Sequence, residues 1–428
     1  MSKIRGAKRF FRIGKEDISD PYGTGASGMD SNLVTGATFD MRFFFIHEGG
    51  FSIHLTQLAE EQSVLRGQTG VLFRDKSGVS VAGDMSVLTH PDNIRWFFDM
   101  ALVRDGNGEL HPHTIQEFYP GIDGSEKGAT YISCKASQLQ AAWGTNQNKV
   151  QVTITVQGQR EKAYTGTLPD VTAAGVFPSR AGYFFSNSSL IDGAALYSAS
   201  WPGGTYALPL ADYTEVSCTI ANNLTEGPRA FHPDPDLRGA ITDLIAGQER
   251  LSGNFTMQWR DLNIMTRYRA FNDLVFRNIF IHPTSVSNRT FNAVQAAQSG
   301  SIAVNYTGGD LTATFPGVSG TAPYVIAIQH GAGGASGITA TQWSTAKITA
   351  VSASALTLES VDIAIAVGDR IWTEAMELRF TQVNILDLSK TGGPDDAVVT
   401  LTGNFEGKAG TGATQLLTRV PRAALPVT

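Results

Sequence analysis

The sequence predicts a mainly β fold. It reads as two related β-sandwich or barrel units, each with one short helix, a small β-rich insertion in the second, and an extended N-terminal arm. Three observations lead there. Apolar residues recur with period two through most patterned segments, as strands with one buried face require. Helical spacing is confined to short stretches. A segment around Gly83 returns around Gly253 in the same order and spacing.

Residues 1–35 read as the arm. Lys3, Arg5, Lys8, Arg9, Arg12 and Lys15 surround Phe10 and Phe11 without regular spacing, and PYGTGASG follows at 21–28. Gly23, Gly25 and Gly28 satisfy the G-x-G-x-x-G pattern. A dinucleotide site needs that pattern between a strand and a helix, whereas Asp17, Asp20 and Pro21 precede it and Met29-Asp30-Ser31-Asn32 follows, so it reads as a loop.

The first unit spans 36–175. Strand patterns cover 42–46, 52–58, 70–74 and 79–88. Phe43-Phe44-Phe45 is apolar on both strand faces, so it is fully buried or lies at an interface. Ile94, Phe97, Phe98, Ala101 and Leu102 fall at helical spacing within Asp92–Val103, with Asp92 or Asn93 as cap and a Gly106 loop beyond. In KVQVTITVQG, Val150, Val152, Ile154 and Val156 alternate with polar residues.

The second unit spans 176–428. Strands are expected at 215–221, 251–259, 378–386 and 397–405, and a second helix at about 261–272. Between them, about 301–372 has no counterpart in the first unit. It holds HGAGGASG (330–337) and the continuous β pattern KITAVSASALTLES, and reads as an inserted barrel-like element. The repeat carries Gly83, Ile94 and Phe98 onto Gly253, Ile264 and Tyr268 at a constant shift of 170. Upstream, Leu58-Ala59-Glu60 matches Leu224-Thr225-Glu226 at a shift of 166.

Charge excludes some functions. The chain has 33 basic and 39 acidic residues, a net charge of −6, which argues against a general nucleic-acid binder with its basic face. The first 16 residues hold six basic and one acidic residue, leaving 27 and 38, a net of −11, on the rest. Such an arm suits docking onto an acidic neighbouring copy. Only 17% of residues are charged, below the usual ~25%, which suits large subunit contacts. Cys134 and Cys218 are too few for a disulfide framework or a Cys-rich zinc site and sit in strand patterns. No apolar run approaches the ~18 residues of a membrane span, and the basic N-terminus lacks the apolar region of a signal peptide, so synthesis and assembly in a cytoplasm are expected.

Catalytic patterns are missing. The eight histidines are scattered, and only His111 and His113 lie close enough to share a strand face. They read as loop or edge-strand residues. There is no G-x-S-x-G elbow or phosphate-binding loop. Glu60-Glu61 and Asp395-Asp396 read as solvated turns, and HPDPD (232–236) as a stiff loop. No enzyme activity, cofactor or metal is expected.

The segments VAGDMSVLTHPDNIRWFFDMAL (81–102) and LSGNFTMQWRDLNIMTRYRAFND (251–273), each a glycine-containing strand running into a short helix, resemble the tail tube (major tail) proteins of phages with long non-contractile tails. The preceding strand SIHLTQLAEE (52–61) and the N-terminal arm fit as well. The resemblance implies a virion tail protein that self-assembles into stacked rings around a lumen through which DNA passes without specific binding. Assembly would take place in the host cytoplasm, with the tape measure and terminator proteins as partners and no membrane. Family members usually carry one unit in a six-fold ring. Two units per chain imply rings of three chains with quasi-six-fold symmetry, the insertion outside. Phe10, Phe11, Arg12, Phe43, Phe44 and Phe45 are the candidate inter-subunit contacts. Two other readings stay open: a tail terminator, baseplate or capsid decoration protein, and a β-rich carbohydrate-binding module.

Overall fold

A computed structural model describes residues 10–16, 42–45, 50–62, 73–89, 94–120, 126–144, 147–164, 189–190, 197–198, 213–229, 239–259, 265, 268–270, 274–282, 289–292, 300–305, 311–315, 318, 324–330, 342–359, 361, 363–392, 398–407 and 416–419. The GTGASG and HPDPD motifs lie outside these residues, as do Asp92, Asn93 and the glycines after His330.

The chain is mainly β. Its first half holds β1 (Phe10–Lys15), β2 (Arg42–Phe45), β3 (His54–Gln62), β4 (Phe73–Leu88), helix α1 (Ile94–Leu102), β5 (His113–Pro120), β6 (Glu126–Gly144), β7 (Gln147–Gly158) and β8 (Arg160–Tyr164). The pairing order is β2-β1-β5-β6-β7-β4-β3, antiparallel throughout, with β8 also on β6. β6 is long enough to serve two sub-sheets. Its first part pairs with β5 and β8, its second with β7.

The alternation in KVQVTITVQG is realised: Val150, Val152, Ile154 and Val156 are fully buried, and their neighbours are half-buried. α1 covers the same core with Ile94, Phe97, Phe98 and Ala101, the i, i+3, i+4, i+7 face of an amphipathic helix, and with Met100 beside them. The end of the 70–74 pattern, from Phe73, and the whole of 79–88 form one continuous strand, β4.

The second half continues with β9 (Ser189–Leu190), β10 (Tyr197–Ser198), β11 (Tyr213–Ala221), β12 (Thr225–Glu226), β13 (Leu244–Ile245), β14 (Arg250–Gln258) and β15 (Leu274–Ile281). A closed barrel follows, made of β16 (Arg289–Phe291), β17 (Gly300–Asn305), β18 (Tyr324–His330), β19 (Gln342–Val351), β20 (Ala355–Glu359) and β21 (Arg370–Trp372). The chain returns through β22 (Ala375–Thr391), β23 (Thr400–Gly407) and β24 (Leu416–Arg419). The pattern KITAVSASALTLES, expected as one run, contains a hairpin. Ser352 turns the chain by donating its amide to the Ala355 carbonyl while its hydroxyl accepts the Ala355 amide. Met265, Tyr268 and Arg269 are helical within the second helix expectation, and Met265 and Tyr268 pack against the main core.

Pairing in this half runs (β9, β10)-β15-β22-β23-β14-β11, with β24 on β22. From β1 onward, position by position, it is the order of the first half. The registers agree too. Gly83 pairs with Val156 and Gly253 with Phe405, shifts of 170 and 249. A β-bulge follows Ala136 in β6 and Ile385 in β22, again 249 apart. A second bulge follows His113 in β5 and Leu274 in β15, 161 apart. The pairs His54–Ala82 and Thr219–Ser252 set the shift from β3 to β11 at 165. Matching the acidic motifs gives 166, one residue out of step with the ladder.

The barrel stands between β15 and β22, where the first half has only the short connection from β5 to β6. Its interior is apolar and its own: Phe291, Phe315, Tyr324, Ile326, Ile348 and Leu358 lie in it. A small cluster of Ile279, Ile281, Val325, Ala327, Trp343 and Ala375 seats it on the large sheet.

Candidate assembly interface

The two halves join where β11 pairs with the second part of β6. Val216 faces Trp143, Ile220 faces Leu139 and Ala221 faces Gln138. Leu139 and Ile220 are 0% exposed. Gly144 closes the seam: a Cβ there would lie 2.3 Å from the Thr214 carbonyl oxygen, and its φ of +155° is one that side chains seldom adopt.

Buried Asn222 locks the seam. Its amide nitrogen donates to the Ala101 carbonyl of α1 (2.9 Å) and to the Ala136 carbonyl of β6 (3.0 Å), and its side-chain oxygen accepts from Arg104 (3.0 Å). A buried amide with every group paired specifies one arrangement, because leaving one unpaired costs about 1–3 kcal/mol. Beside it, a cavity of about 350 Å³ holds Glu109, Lys135 and Asp243. Lys135 lies 3.4 Å from Glu109 and 3.5 Å from Asp243 and also donates to the Leu244 carbonyl. The buried cation is neutralised and bridges the halves.

Away from the seam the same strands end in edges. Among the described strands β3 pairs with β4 alone, and the stretch Asn384–Thr391 of β22 pairs with β23 alone. β2, carrying Phe43-Phe44-Phe45, ends the sheet and pairs only with β1 in the described structure.

The remaining candidate contacts lie on β1, between β2 and β5, with Phe10 opposite Phe118. Phe11 is 0% exposed and its ring centroid is 5.4 Å from that of Phe51. Arg12 is half-buried, donates to Gln116 (2.6 Å) and lies over the Phe118 ring. Buried Glu16 ends the strand. It accepts the Thr114 hydroxyl (2.6 Å) and both the amide (2.7 Å) and hydroxyl (2.9 Å) of Ser133, which has φ +54° at the β6 bend. Burial nevertheless pushes its carboxyl above the usual range, outweighing those three donors.

Histidines expected in loops or edges prove buried at three places: His113, His282 and His330. Each has a polar partner that makes burial tolerable: the His111 carbonyl (2.9 Å), Glu374 (3.6 Å) and Asp369 (2.7 Å). Burial pushes His113 down to about 3.

The His330 ring also meets the Ser344 hydroxyl at 2.7 Å, giving a Ser–His–Asp order that no sequence spacing announced. Its three members are at most 2% exposed, so no substrate reaches the hydroxyl. Asp369 further accepts the Ala366 amide (2.9 Å), and the network ties β18 and β19 to the turn before β21. Among the described residues, no group of three His, Cys, Asp or Glu side chains could hold a metal ion, and no helix is long and apolar enough to cross a membrane. Cys134 and Cys218 are buried, and burial pushes the Cys218 thiol up to about 12.

Long paired antiparallel strands, joined at a locked seam and ending in strand edges, define a mainly β protein. The chain belongs to the phage tail tube protein family, whose model matches residues 6–404. It is a structural component of the virion tail. A search of curated proteins finds no match.

Proposed function

We propose that the chain self-assembles into stacked rings that form the hollow tail tube through which phage DNA passes. Each chain contributes two tube units, 36–175 and 176–428, so that three chains make a quasi-six-fold ring. The observation that carries this is the shared strand order of the two halves, with two of their β-bulges at matching positions. Family membership supplies the tube.

The barrel clads the outside, since it stands on a hairpin away from the seam. A net-acidic body lets DNA slide, because phosphate binding rests on basic side chains. The part of segment 1–35 outside β1 and the Phe43–Phe45 strand make contacts between copies, whereas Phe11 of β1 is buried in the chain's own core against Phe51. The tape measure and terminator are the partners at the tube's lumen and end, and assembly takes place in the host cytoplasm.

Electron microscopy of the purified full-length chain tests this. Tubes of stacked rings about 40 Å apart are expected, from ~12 strand residues at ~3.3 Å each. A protein that stays monomeric at high concentration would overturn it.

A further inference from the structure

We infer that the second part of β22 pairs, antiparallel, with the β3 edge of a second copy of this chain, in the register that β6 and β11 use inside one chain. The inference rests on the ring reading above and names its joint.

The internal seam is the template. Adding 249 to Leu139 gives Leu388, and subtracting 165 from Ile220 gives Leu55, so the pair Leu139–Ile220 predicts Leu388 opposite Leu55. The same shifts put Ser389 opposite His54, Lys390 opposite Ile53 and Thr391 opposite Ser52. Both stretches have an edge that no described strand covers.

The side chains fit the joint. Leu139 and Ile220 are 0% exposed in the seam, whereas their counterparts Leu388 and Leu55 are half-buried at the rim of the main core. Joining the edges would complete that core across two chains. Leu386, on the bulge of β22, stands 57% exposed on the same edge.

The backbone fits as well. Ser52 donates its amide to Asp84 of β4, so the amides of Ile53 and Leu55 face away from β4. In the seam the matching outward amide of Asn222 donates to the Ser137 carbonyl at 2.8 Å. In the single chain, the Leu55 amide is held by the Glu161 carboxylate and the Ile53 carbonyl by the Tyr131 hydroxyl (3.1 Å). Such side-chain covers blunt an edge until a strand replaces them.

Cysteine pairs in the full-length chain test the register. His54 and Ser389 are both exposed and are predicted at a non-hydrogen-bonded position, where side chains approach most closely. Native Cys134 and Cys218 are 0% exposed and stay silent. Under mild oxidation, H54C/S389C should give covalent dimers and closed trimers, at least ~10-fold more than H54C/T391C, which is two residues out of register. S52C/T391C should behave like the first pair.

Rings that are seen by microscopy, while H54C/S389C links no better than the out-of-register pair, would overturn this joint and leave the ring. Absence of any assembly would overturn both.

Discussion

The two halves of the large sheet keep one register and pack it differently. In the first half, Gly83 faces Val156 and Met85 faces Ile154 across β4 and β7. In the second, Gly253 faces Phe405 and Phe255 faces Gly403. A Cβ on Gly253 would lie 2.2 Å from the Phe405 ring, and one on Gly403 would lie 2.6 Å from the Phe255 ring. Each phenylalanine therefore fills the space that its cross-strand glycine leaves, and the two rings stack at 6.5 Å. Ladder and bulges fix which residues meet, while the volume they share is free to be divided evenly or unevenly. Interiors tolerate redistribution when total volume is kept.

That contrast can be broken most severely at Phe405. Phe405→Ala should cost about 3–5 kcal/mol, against about 1.5–3 kcal/mol for Val156→Ala at the matching position. Urea midpoints at constant m-value measure both. Equal losses would mean that the glycine-phenylalanine exchange is not what holds the second half.

Next in size is the seam, which treats the halves as one body. Gly144→Ala drives a methyl group toward the Thr214 carbonyl and should cost about 1–3 kcal/mol. Hydrogen exchange should then show β11 opening earlier than β7. If the amides of both strands keep their protection, the seam is not strained there.

A transplant sharpens the contrast. Phe255→Met, Gly403→Ile and Phe405→Val together install the first half's packing in the second. Because these residues touch, the triple variant should be more stable than the sum of its single changes by about 0.5–3 kcal/mol. Additive losses would show that the two packings are not interchangeable.

The smallest effects are in pH. His113 titrates at about 3 in the fold and near 6.5 when unfolded, so the unfolded chain binds the extra proton between these values. Its contribution to stability is present above pH 6.5 and falls as pH drops toward 3. Glu16 acts oppositely. Its raised value makes the folded chain hold its proton longer, so stability falls as pH rises past the ordinary glutamate range. His113→Gln should flatten the acid limb of a thermal melt series, and Glu16→Gln the limb above it. Unchanged slopes would show that neither group senses the fold.

Much of the fold was legible because its signals are local. Val150 to Val156 alternate visibly, and α1 shows its apolar stripe. The recurrence at 170 lies on β4 and β14, which hold the same place in both halves. Long-range features were not legible. Phe10 to Lys15 read as an arm because nothing in six residues reveals that β5 accepts them as a strand or that Ser133 and Thr114 bury Glu16. Ser344, His330 and Asp369 meet only when a barrel closes, and the hairpin at Ser352 hides inside a run that carries no Gly or Pro to mark a turn. As for the assembly interface, the sequence marked Phe43 to Phe45 but not β3 or β22, because an edge is a property of what fails to pair.

The two longest strands carry a further meaning. β6 and β22 each run through both sub-sheets as one unbroken backbone. A pull on one sub-sheet therefore reaches the other along covalent bonds, with no linker between them to yield. The bulges act as notches, since sliding either strand past its neighbour would lift two dislocations out of place together. Such a chain behaves as a braced beam, stiff along the strands and resistant to shear.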